Sequence, residues 1–159
     1  MHTKTYHLSR YLKIYVTCDV MSKAELLLGA LDKFYTNEKN NKILVDILQH
    51  KSGISLRKLE YFVTSYAKQT NLSYTTGGKL FSVHLAYKSS LDGYSKKLFD
   101  PFCRTERIQF KGITTTVAQL NFIRWCIRND IILQLGHKGQ KGTNSIHSGD
   151  INTDMKNLV

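Results

Sequence analysis

Proline and tryptophan each occur once in 159 residues, and no apolar run approaches the roughly 18 residues that a membrane span requires. The first 20 residues also lack the continuous apolar block of a signal peptide, so neither a membrane contact nor export is expected. Cysteine is scarce as well. Cys18, Cys103 and Cys126 are odd in number and show no CxxC spacing, which argues for reduced structural thiols in a cytosol-like compartment. Six histidines are present, but none sits with a cysteine at zinc-ligand spacing, so no metal and no cofactor are expected. Catalytic signatures are missing too: there is no P-loop, GxGxxG, GxSxG or HExxH. A metal-dependent nuclease centre needs clustered carboxylates, and residues 79–128, which hold His84, contain only Asp92, Asp100 and Glu106. The chain is therefore not expected to be an enzyme.

Acidic residues are few, 12 against 23 Lys and Arg, and the formal charge is +11. Such an excess favours a polyanionic partner, above all nucleic acid. The imbalance is greatest in residues 79–128, where nine Lys and Arg face three acids. Tyr87, Tyr94, Phe99, Phe102, Phe110, Phe122 and Trp125 are interleaved with those cations. Most of these rings belong in a core, and only Trp125 and Tyr94 are candidates for stacking on bases.

With 42% hydrophobic residues the chain can build one sizeable core. Residues 1–20 form an N-terminal extension in which Leu12, Ile14, Val16 and Cys18 alternate with polar residues, as in a strand. Ser22 and Glu25 form a capping box that starts a helix at Lys23, with Met21 and Leu26 as a hydrophobic staple. That helix has the stripe Leu27, Ala30, Leu31, Phe34 and Tyr35. A second helix buries Ile43, Leu44, Ile47 and Leu48 and ends at Gly53; a third, capped by Ser55, runs to about Thr70. The pair has the order of a helix-turn-helix, with Arg57, Lys58, Tyr61 and Lys68 outward, although an ordinary helical hairpin is preferred. Residues 71–79 are a flexible break, and 80–88 alternate as a strand with His84 on the less apolar face. Leu91, Tyr94 and Leu98 then mark a short helix.

Ile108 and Phe110 precede a turn at Lys111 and Gly112, and Thr116 with Gln119 opens the last main helix. In it Val117, Leu120, Ile123 and Ile127 face inward, while Asn121, Arg124 and Arg128 form a polar row. Residues 131–135 suit a closing strand or a final helical turn, and 136–159 read as a flexible C-terminal tail. The expected fold is a mainly helical α+β single domain over 21–135, with a small sheet in the second half from residues near 80–88, 107–111 and 131–135.

The chain is organised around residues 96–128. Pro101 disfavours helical backbone at Asp100, so a helix arriving through Lys96 and Lys97 stops at Phe99 or Asp100. Phe99 and Phe102 are placed to anchor the corner, displaying Arg104, Glu106 and Arg107 from a braced loop. The candidate nucleic-acid-binding set is Lys96, Lys97, Arg104, Arg107, Lys111, Arg124 and Arg128. Glu106 leaves an alternative open, in which it pairs with an arginine and the loop is a structural clasp.

The stretches Phe99-Asp-Pro-Phe-Cys-Arg-Thr-Glu-Arg107 and Thr114-Thr-Thr-Val-Ala-Gln-Leu-Asn-Phe-Ile-Arg-Trp125 resemble a family of small basic proteins of nucleocytoplasmic large DNA viruses, the giant viruses of amoebae and algae. The resemblance covers residues 21–135 and brings no catalytic residue with it. It implies a viral setting, in the virion or the virus factory of the host cytoplasm. The expected activity is binding of nucleic acid, DNA first, through its phosphates, in genome packaging or an accessory role. The alternative is a structural virion protein whose basic surface meets an acidic protein partner, and other virion proteins are partners on either reading.

Overall fold

Ser22, Asn37, Ser55 and Thr116 each cap the start of a helix with a short polar side chain. A computed structural model describes residues 22–141, with side chains to 137; the expected strand in residues 1–20 and most of the expected tail lie outside that range. At α1 (Lys23–Phe34) the Glu25 amide donates to Ser22 Oγ at 3.2 Å and the Ser22 amide donates to Glu25 Oε2 at 2.9 Å, so the capping box forms in full. The expected staple does not bury its described half, since Leu26 is exposed; Met21 lies outside the described residues. Asn37 caps α2 (Glu38–Leu48) by accepting from the Lys39 and Asn40 amides, and Ser55 caps α3 (Leu56–Tyr61) by accepting from Lys58. The third helix continues through a π-helical turn, Phe62–Tyr66, into α4 (Ala67–Gln69) and is capped at Thr70, as expected.

Gly53 does not end α2. His50 takes the left-handed conformation at φ 55°, and the Lys51 amide donates to Asp46 O at 2.8 Å, closing the helix five residues back. Nor do α2 and α3 stand as a helix-turn-helix. Their connection, residues 49–55, exceeds the usual three or four residues of that motif, and α2 packs on α7 (Val117–Arg128) while α3 packs on α8 (Ile131–Lys141).

The expected break at 71–79 is a hairpin: β1 (Ser73–Thr76) pairs antiparallel with β2 (Lys79–Ser82) in the register Ser73↔Ser82. Gly77 and Gly78, at φ 55° and 76°, supply the two positive-φ positions of a tight turn matched to strand twist. The strand expected over 80–88 stops at Ser82 and becomes α5 (Val83–Tyr94). Val83 and Tyr87, four apart, are buried, and Leu85 between them is 67% exposed, which is helical and not alternating burial. Residues 131–135, expected as a closing strand or a final helical turn, take the helical alternative and join no sheet. Ile131 and Leu135 are buried and Leu133 is 59% exposed, because the segment begins α8, which runs on to Lys141.

After α5 come α6 (Lys96–Phe99), then β3 (Ile108–Phe110) and β4 (Ile113–Thr115), paired antiparallel as Ile108↔Thr115. The sheet elements are thus two separate two-stranded hairpins, not one small sheet, within a mainly helical α+β fold.

The core is built around α7. Its Leu120, Phe122, Ile123 and Cys126 are sealed by Leu27, Leu31 and Tyr35 of α1, Leu44 and Ile47 of α2, Val83 and Tyr87 of α5, and Phe99 of α6. Tyr35 Oη donates to Leu120 O at 2.7 Å, and burial pushes both the Tyr35 phenol and the Cys126 thiol well above their usual ranges. Thr76 Oγ1 donates to Asp130 Oδ2 at 2.6 Å and Tyr74 Oη donates to Asn129 O, tying the first hairpin to the corner between α7 and α8.

Candidate nucleic-acid interface

Proline decides the local geometry first. Asp100 adopts extended backbone, φ −73° and ψ 113°, ahead of Pro101, so α6 stops at Phe99 as expected. Asp100 Oδ1 then accepts from the Phe102 amide at 2.9 Å, Asp100 O accepts from the Cys103 amide at 3.1 Å, and Gln119 Nε2 donates to Pro101 O at 3.2 Å. The corner is therefore braced. Its anchors are the buried Phe99 and Pro101, whereas Phe102, expected inside, is 49% exposed. Gln119 is also why Thr116 forms only half a capping box: Thr116 Oγ1 accepts from the Gln119 amide, while the Gln119 side chain is held by Pro101 O and Thr115 Oγ1.

The seven candidate cations do not share one environment. Lys96, Lys97, Arg104, Arg107 and Arg128 are exposed, and among the described residues none has an ion pair or a side-chain hydrogen bond. Glu106 is exposed and likewise unpaired, so the clasp with an arginine does not form. Lys111 is committed elsewhere: it opens the β3–β4 turn at φ 47°, its Nζ stands 3.4 Å from Asp32 Oδ1 on α1, and it lies 5.6 Å from the Phe110 ring centre. Arg124 is only 8% exposed, not part of an outward row, and its Nη2 donates to Asn121 Oδ1 at 2.9 Å and Tyr94 Oη at 3.4 Å.

Hydrogen bonds fix how these residues are strung out. Gln119 bonds Pro101, Asn121 Nδ2 donates to Leu98 O at 2.9 Å, and Arg124 bonds Tyr94, so α7 runs antiparallel to residues 94–101. Lys96 and Lys97 lie beside the middle of α7, and Arg128 lies past Arg124 at its C-terminal end. From Gln119 to Arg128 is about 14 Å of helix axis at 1.5 Å per residue. One strand of duplex sets phosphates roughly 3.4 Å apart along its axis, so that length matches about four of them.

Both stacking candidates are half-buried and packed against other rings. Trp125 has Phe81, Tyr87, Phe99 and Phe122 around it at ring distances of 5.7 to 6.3 Å, and Tyr94 is stacked on Phe99 at 5.8 Å. His84 sits in the first turn of α5, not on a strand, with its Nδ1 buried and unbonded. Among the described residues no three His, Cys, Asp or Glu side chains gather as a metal site, and no helix is long and apolar enough to cross a membrane.

Two features had no signal in the sequence. Lys23 Nζ donates to Gly93 O at 2.9 Å across 70 positions of chain, placing a cation on the last turn of α5. Next to it Ser95 holds φ 78° and ψ 159°, a backbone region essentially reserved for glycine. Relief of that strain, partly offset by the entropy of glycine, should make Ser95→Gly more stable by about 1 kcal/mol, seen as a melting temperature a few degrees higher. An unchanged or lower melting temperature would show that Ser95 is not strained.

Two acids, Glu60 and Asp100, neighbour each other. Burial raises the Glu60 carboxyl above its usual range, and the neighbouring charge of Asp100 adds to the rise. A carboxyl whose folded pKa is raised weakens the fold once it ionises, so Glu60→Gln should raise the melting temperature at pH 7. The gain should shrink as the pH falls from the raised folded value into the ordinary glutamate range and be absent below it, and a gain that is constant with pH would contradict this.

A family model described as Family of unknown function (DUF7197) matches residues 16–157. The chain belongs to this family. It is also 39% identical over 113 residues to an uncharacterized protein of Acanthamoeba polyphaga mimivirus, which covers 62% of this chain and 44% of that protein. The matched stretch thus spans less than half the relative's length. No solved structure matches the chain. The giant-virus resemblance seen in the sequence accords with that viral relative.

Proposed function

We propose that this protein binds nucleic acid, DNA first, through its phosphates, in the packaging or virus-factory handling of a viral genome. The observation that carries this reading is the set of five exposed cations, Lys96, Lys97, Arg104, Arg107 and Arg128, that have no acidic partner among the described residues. The whole sequence carries a net charge of +11, and the corner that carries two of these cations is held by the buried Pro101 and by Gln119. Lys and Arg contacts to phosphate position a protein on the polymer without reading bases, and the packing of the half-buried Trp125 and Tyr94 against other rings agrees with binding of that kind.

The test is removal of charge from the braced loop. Replacing Arg104 and Arg107 together by Gln should lower the slope of log affinity against log salt by about two, close to 0.9 per phosphate lost. Because both side chains are exposed and unpaired, the melting temperature should move by no more than about 2 °C. Unchanged DNA affinity in a variant that melts early would assign the pair to the scaffold. A specific acidic protein partner that survives nuclease treatment, with no DNA binding at low salt, would replace the proposal with the structural-protein reading.

A further inference from the structure

We infer that the elbow between α5 and α6 is a recognition site for a single phosphate group, with Arg124 as its anchor; this deepens the phosphate-binding reading above and rests on it. Arg124 is more than nine-tenths buried, and no carboxylate among the described residues lies within ion-pair distance. A guanidinium carries five N–H donors, and here only Nη2 is bonded, to the two neutral oxygens of Asn121 and Tyr94. Among the described residues Nε and Nη1 have no partner, and neither is among the side-chain atoms that are both sealed from solvent and unbonded. The unused donors of this buried cation therefore face the part of it that remains open.

A charge taken from water without a counter-charge is unfavourable, and an oxyanion bound there would supply one with bidentate geometry. The chain around it is cationic. Lys23 is fixed on Gly93 O, the residue before Tyr94, and Lys96 and Lys97 follow Ser95 directly. The exposed Asp92 is the acid closest in sequence, while Asp100, the next, caps the Phe102 amide and neighbours Glu60. Ser95 itself contributes the second independent mark. Its glycine-like backbone is the kind of strain that persists where surrounding structure holds a ligand clamp in shape, and here it lies between the Tyr94 partner of Arg124 and the two lysines. The ligand class is a tetrahedral phosphate oxyanion, presented either as a backbone diester or as a terminal monoester.

The experiment uses the full chain and inorganic phosphate, read from the arginine Nε–H resonances at constant ionic strength against chloride. Phosphate should shift the Arg124 resonance saturably, and Arg124→Gln should weaken phosphate binding on the order of tenfold, the value of a charge-assisted hydrogen bond. If Arg124→Gln does not fold, the wild-type resonance and the milder Lys96→Gln/Lys97→Gln variant decide, the latter expected to weaken phosphate binding without moving the melting temperature. Duplexes with and without a 5′-phosphate separate the sources: tighter binding of the phosphorylated ends assigns a monoester, and equal binding a backbone diester. An Arg124 resonance indifferent to phosphate, in a protein that still binds duplex, overturns the elbow site and leaves the nucleic-acid reading standing. A saturable shift in a protein that binds no duplex leaves a small-anion site and removes that reading.

Discussion

Phe99→Ala should destabilise the protein by about 3–5 kcal/mol, the range for deleting a fully buried phenylalanine and leaving part of the cavity unfilled. Phe99 has no exposed surface, and the rings of Tyr87, Tyr94, Phe122 and Trp125 surround it at 5.6 to 5.8 Å. Each offset or edge contact adds to area burial, so several favourable pairs are lost together. Domains of this kind are stable by about 5–15 kcal/mol in total, which makes the loss roughly a fifth or more of the margin and lowers the melting temperature by roughly 10 °C or more. Phe102→Ala, three residues on, should cost less than about 1 kcal/mol, because its ring is already half in water. Urea unfolding of the two variants side by side checks the contrast. Equal losses would mean that the corner is anchored differently from what is described here.

Devices that act within about four residues were legible in the sequence. The Ser22–Glu25 box, the stop imposed by Pro101 and the turn at Lys111 and Gly112 all stand where residue type and spacing put them. The helix missed at Val83 and the one left open against a strand at Ile131 share one physical cause. From Val83 to Tyr87 and from Ile131 to Leu135 a five-residue apolar pattern satisfies both periods, and only the exposure of Leu85 and Leu133 in the folded chain decides between them. Gly53 was the expected helix stop, but the chain reverses earlier through His50, at a cost that the Lys51 to Asp46 hydrogen bond offsets.

The site was legible as composition and not as arrangement. Arg124 carries no mark that separates it from Arg128, four residues on; it is buried because α7 is the helix around which α1, α2 and α6 pack. Lys111 looked free until α1 brought Asp32 to it, and Lys23 entered the picture only through a contact 70 residues distant. Contacts of that range depend on how the helices assemble, which no local pattern encodes.

Duplex affinity should fall roughly 500-fold between 50 and 200 mM salt, as follows from five phosphate contacts at a slope of about 0.9 each. The five contributors are Lys96, Lys97, Arg104, Arg107 and Arg128, all exposed and none paired with an acid among the described residues. Lys111 is left out because Asp32 already balances it, and Arg124 because a phosphate at the elbow is one already counted for Lys96. Partial screening from other surface charges shifts the intercept more than the slope, since only cations that displace condensed counterions enter the slope. Loss of one of these contacts should cost about the same affinity on any sequence, because no base is read. The most direct measurement is a titration of the full chain with a mixed-sequence duplex at several salt concentrations. A straight line of log affinity against log salt with a slope between about −4 and −5 is the expected result, and a slope near zero, or no binding at 50 mM salt, would contradict the phosphate-binding account.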